Sequence, residues 1–148
     1  MNTKNRIKAL EITRTTASIK LFRELEQVQL LNERYSVLVR ESEEIGASID
    51  YSEQALRMLQ SPGHSCEVAD VIQVQAYLKE LNVKQVEIAE LMKDVYESLH
   101  EHKSAIALLR RQREELDKKR KFVIVSDEVK RSDKQDAEVS ELRRSQKI

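Results

Sequence analysis

Histidine and cysteine, the residue types besides carboxylates that most often bind a transition metal, occur at four positions: His64, Cys66, His100 and His102. His64 and Cys66 share a short segment, but no further ligand of a suitable kind stands near them. His100 and His102 are two positions apart, which on a helix sends them to different faces, so one metal ion cannot readily take both. There is no Gly-x-x-x-x-Gly-Lys-Ser/Thr loop to cradle a phosphate, no Gly-x-Gly-x-x-Gly turn and no nucleophile elbow. Asp and Glu total 26, yet a pair of helices offers them no water-excluding pocket in which to act as acid or base. The expectation is a protein that is not an enzyme and takes no metal or cofactor.

What the spacing does specify is a pair of helices. Pro62 and Gly63 adjoin near mid-chain, and the rest of the sequence holds one other glycine and no proline. Proline removes a helix donor and glycine reaches backbone angles that other residues avoid, so Ser61 to Ser65 reads as a chain reversal. On the N-terminal side, positions 7, 10, 14, 17, 21 and onward to 59 step alternately by three and four. Twelve of those sixteen are apolar, among them Leu10, Leu21, Leu31, Leu38, Ile45 and Leu56. On the C-terminal side the same rule runs from Val71 through Leu81, Ile88, Val95, Leu99 and Ile106 to Val123. A stripe of that period is a coiled-coil seam.

These features predict an all-α fold, a long two-helix antiparallel coiled-coil hairpin with a frayed or extended C-terminal helical tail. The hairpin is expected over residues 1–123, with arms about 5–60 and 67–123 and a turn at 61–66, and the tail over 124–148. Charged residues make up 35% of the 148, aromatics 4%, and tryptophan is absent, so burial must come from helix packing on helix. An arm of some 55 residues would be roughly 80 Å long, which makes the expected molecule an elongated rod. A single cysteine excludes an intrachain disulfide and fits a reducing compartment. No run of 18 apolar residues exists, and the basic start is followed by no apolar block of signal-peptide length. A cytoplasmic monomeric hairpin without membrane insertion is the resulting expectation.

Net charge is zero, but its distribution is uneven. Between Met1 and Arg23 stand Lys4, Arg6, Lys8, Arg14, Lys20 and Arg23 against Glu11 alone. Arg110, Arg111, Arg113, Lys118, Lys119, Arg120 and Lys121 form a second basic stretch, interrupted by Glu114, Glu115 and Asp117. A hairpin brings the two stretches together. Near the turn, Glu41, Glu43, Glu44, Asp50 and Glu53 occur with no lysine or arginine between Glu41 and Leu56. Charge runs are ordinarily solvated faces. Gathering like charges on facing helices costs a few tenths of a kcal/mol per close pair, however, and a negative partner would offset that cost.

Polar residues interrupt both seams: Arg14, Glu24, Ser42 and Ser52 in the first, Gln85, His102, Arg113 and Arg120 in the second. One register would set Ser42 against Gln85, Glu24 against His102 and Arg14 against Arg113, the last pair repulsive. A regular layering would shift these partners by about three positions, so both registers stay open. If Ile7 lies near Arg120, the segment after Val123 has no partner in the first arm. Phe122-Val123-Ile124-Val125 is then an apolar patch at the open end.

The mid-chain turn, the opening Arg6-Ile7-Lys8-Ala9-Leu10, the stretch Gln75-Ala76-Tyr77-Leu78-Lys79-Glu80-Leu81 and the basic run Leu109 to Leu116 together resemble the central-stalk proteins of type III secretion, the FliJ and YscO (SctO) family. The resemblance is architectural and covers nearly the whole chain, and the Arg-Ile-Lys opening favours the injectisome branch. It implies a stalk that inserts in the hexameric secretion ATPase, promotes its assembly and activity, and couples it to the cytoplasmic ring of the export gate. It further implies a location peripheral to the inner-membrane secretion apparatus, a role in virulence-type protein transport and, as in some members, binding of export chaperones. Tyr77 and Leu81 match the family's gate-contacting positions, and Tyr51 lies near them. Leu81 is also a seam position, which favours a core role there. Arg6, Lys8, Arg110, Arg111, Lys118, Lys119 and Lys121 would complement acids lining the ATPase pore. The rival expectation is a general coiled-coil scaffold or tether without an ATPase partner. Nucleic-acid binding is disfavoured, since few aromatics are available for stacking and no reading motif is visible.

Overall fold

The computed structural model describes residues 2–63 and 67–146 and consists of two α-helices, α1 over Thr3–Leu59 and α2 over Val68–Gln146. They pack against one another as an all-α antiparallel hairpin with no strand among the described residues. Among those residues, no helix is long and apolar enough to cross a membrane.

Local chemistry sets the helix ends. Asn2 caps α1, its Oδ1 accepting from the Asn5 N–H at 2.9 Å while its carbonyl accepts from the Arg6 N–H at 3.1 Å. An asparagine before the first turn satisfies donors that have no partner within the helix. At the other end of α1 the Ser61 hydroxyl and N–H both donate to the Met58 carbonyl, at 2.8 and 3.3 Å. Gly63 follows in the left-handed region at φ 83°, the one positive φ among the described residues. An L side chain there is strained, which is why the reversal carries glycine.

The chain forms two compact units, a turn unit of Glu26–Lys103 and an open unit of Met1–Leu25 with Ser104–Ile148. In the turn unit Leu38, Ile88, Val95 and Leu99 form the buried core, with Val28, Leu31, Tyr35, Ile45 and Met92 packed against it. In the open unit Ala17, Leu21, Ile106 and Val123 are buried. Every position of the first seam is buried or half-buried. So is every position of the second except Arg120, which is exposed. No large side chain among the described residues is fully enclosed. Two helices can cover only the strip between them, so each seam residue keeps an edge in water.

The polar layers decide the pairing. Gln85 Nε2 donates to Ser42 Oγ at 3.2 Å, which is the pairing that the first of the two registers requires. Arg14 departs from that register. Its Nε lies 2.7 Å from Asp117 Oδ1, one helical turn beyond Arg113, whose own Nε is buried without a hydrogen-bond partner. The contact is not a directed hydrogen bond, because the buried Nε–H finds no aligned acceptor.

The pairing also reaches further along α2 than the sequence suggested. Ile7 lines one shallow groove with Ile124, Asp127 and Arg131, so the first turn of α1 lies beside residues beyond Val123. Ile124, Ser126 and Asp127 are half-buried, while Glu128 to Gln146 are exposed throughout and remain helical. Arg131 and Asp127, four apart, stand 3.2 Å from one another in that stretch.

Leu99 is 7% exposed, and its truncation to alanine should lower unfolding free energy by about 2–4 kcal/mol in urea titrations followed by circular dichroism. The two glycines should respond with opposite signs, since a Cβ at either meets nothing within 4 Å. Gly46→Ala, inside α1, should stabilise by about 0.4–1 kcal/mol. Gly63→Ala should destabilise by about 1 kcal/mol through backbone strain alone.

Candidate partner-binding faces

Counted over its residues, the open unit holds nineteen Lys and Arg against eleven Asp and Glu, a formal charge of +8. The turn unit holds seven against fifteen, a formal charge of −8. A chain of zero net charge is therefore divided into two strongly and oppositely charged units.

Ion pairs across the helices leave this balance unchanged, since each takes one acid and one base of the same unit. Asp117 is taken by Arg14 at 2.7 Å, and Glu11 accepts a hydrogen bond from Arg120 Nη2 at 3.0 Å. Two acids and two bases of the open unit are thus paired with one another. Arg6, Lys8, Arg110, Arg111, Lys118, Lys119 and Lys121 are all exposed, and none makes an ion pair among the described residues. The fold gathers only part of this set. Arg6, Lys118 and Lys119 line a groove with Ala9, Leu10, Thr13, Phe122 and Val123, whereas Lys8, Arg110, Arg111 and Lys121 lie outside it. In the Phe122 to Val125 run Val123 is buried and Ile124 half-buried, while Phe122 is 73% exposed.

The turn unit presents a second groove between the helices. Tyr51 from α1 and Tyr77 from α2 line it together with Ala47, Ser48, Ala55, Val74, Ala76 and Glu80. The two tyrosines are 76% and 49% exposed. Ser52 and Gln73 complete the lining. Leu81, in contrast, is 5% exposed and belongs to the core, so a partner could touch it only if the seam opened. Glu80 lines this groove, and Asp50 and Glu53 are sequence neighbours of Tyr51 and Ser52 in α1. Glu53 and Glu80 stand 3.8 Å from Arg57 and Lys84 on their own helices, at which distance and exposure the pairs contribute little. Asp50 is exposed and carries no ion pair among the described residues.

Among the described residues no group of three or more His, Cys, Asp or Glu converges on one point. His64 and Cys66 lie outside the described residues. Sequence reasoning missed one feature, a set of exposed apolar side chains on α1: Ile12, Ile19 and Phe22, at 60%, 50% and 62% exposure. Their signal was available, since all three fall off the heptad seam on the opposite side of the helix. Comparison with known proteins adds nothing to this geometry: no protein-family model, curated protein or solved structure matches the chain.

The side chains of Arg14 and Asp117 are 43% and 44% exposed, so solvent screening discounts their attraction. A double-mutant cycle with Arg14→Met and Asp117→Asn should give a coupling of about 0.5 kcal/mol that shrinks at high salt.

Proposed function

We propose that this hairpin is the central stalk of a type III secretion export ATPase, of the injectisome branch. The open unit enters the ATPase ring and promotes its assembly and activity. The turn unit contacts the cytoplasmic ring of the export gate through Tyr51 and Tyr77. The protein then acts in the cytoplasm beside the inner-membrane apparatus, without catalysis of its own, and takes export chaperones as further partners.

The observation that carries this reading is the division of a neutral chain into units of +8 and −8. A coiled-coil tether needs a seam and soluble outer faces, and has no use for such a separation. A shaft that meets two different partners does, because complementary fields select the partner and orient the docking. Exposure supports the division of labour. The cations carried over from the family resemblance are unpaired at the surface, and both tyrosines project from one groove.

Charge reversal at Lys118, Lys119 and Lys121 together should abolish stimulation of the purified ATPase while leaving helicity unchanged. Tyr51→Ala with Tyr77→Ala should do the reverse, retaining ATPase stimulation while weakening gate binding by roughly tenfold or more. If both variants keep both activities, the tether reading replaces the stalk reading.

A further inference from the structure

The two grooves complement each other as well as outside partners. In the open unit, Phe122 is 73% exposed and shares its groove with Arg6, Lys118 and Lys119. In the turn unit, the floor between Tyr51 and Tyr77 is lined by small residues, with Glu80 on the same groove and Asp50 and Glu53 close by in α1. One face offers an apolar projection ringed by cations. The other offers a recess of mostly small residues with Glu80 on its lining, in a unit of formal charge −8.

We propose that the occupant of the turn-unit groove, when no other partner is bound, is the Phe122 face of a second copy of this chain. The charge of each unit favours this occupant over a neutral one, since +8 meets −8 across the contact while copies of the same unit repel. Burying one phenylalanine ring and its neighbours removes a few hundred Å² from water, well below the area of a permanent dimer. The association is therefore weak and reversible, with a dissociation constant on the order of 10–100 µM at low salt. It covers the same groups that an acidic or basic partner would need, so free copies hold their binding faces closed to one another until a partner of higher affinity displaces them. This pairing depends on charge and exposure alone and stands whether or not the chain is a secretion stalk.

Sedimentation equilibrium of the full chain tests it at two salt concentrations. At about 10 mM salt, where the screening length is about 30 Å, the average mass should rise with concentration; at about 1 M, where it is about 3 Å, the mass should be that of one chain. Two charge-swapped variants give a sharper test. K118E/K119E/K121E alone and D50K/E53K/E80K alone should each remain monomeric at low salt, and an equimolar mixture should associate again, because each then supplies the sign that the other lacks. Phe122→Ala should weaken wild-type association by about tenfold without loss of helicity, since the ring is exposed. The proposal is overturned by a monomer at every salt concentration, by association that strengthens with salt, by a mixture that stays monomeric, or by Phe122→Ala associating like the wild type.

Discussion

The interaction on which the remainder of the structure depends is the contact between two apolar stripes, each barely wider than one helical face. Such a stripe cannot be buried by the helix that carries it, and the chain has too few aromatics to build a core of any other kind. Covering it with the other half of the same chain is what makes α1 and α2 stable in water, where long helices owe most of their stability to packing rather than propensity. The turn at Pro62-Gly63 follows from the same requirement, because the stripes can meet within one molecule only if the chain reverses.

A seam that narrow leaves nearly every charged side chain outside, and this shapes what the protein can do. No large side chain among the described residues is fully enclosed. Charge then works through its placement. Arg14 with Asp117 and Arg120 with Glu11 cross the hairpin, each pairing one acid with one base. The cations left over carry the field. Polar interruptions of the seam have a related role: Ser42 and Gln85 bond to one another at 3.2 Å and mark the pairing, at the cost of leaving the Gln85 carbonyl oxygen without a partner. Polar layers in coiled coils commonly give up stability for register in this way.

Much of the hairpin is legible in the residue pattern. The step of three and four residues from Ile7 to Leu59 marks positions that are buried or half-buried without exception, because helical period is a local property of the chain. Leu81 is likewise assigned to the core by its seam position, and it is 5% exposed. The site is legible only as a set of residue types. Seven cations stand out in the sequence, yet three of them line a groove with Phe122 and four do not. Ile12, Ile19 and Phe22 escape a reading keyed to the seam because they lie on the face opposite it.

The sequence alone determined the two helices, their apolar faces, the place of the reversal and the sorting of charge along the chain. Each of these depends on residues within a turn or two of one another. Tertiary structure decided what crosses between the helices: that Arg14 meets Asp117, that the first turn of α1 lies beside Ile124 and Asp127, and that Tyr51 and Tyr77 share one groove. Those outcomes turn on the rotation and stagger of one helix against the other. A shift of a few residues would keep every apolar stripe buried while changing every cross-helix partner, so local pattern cannot select among them and packing over the whole seam does.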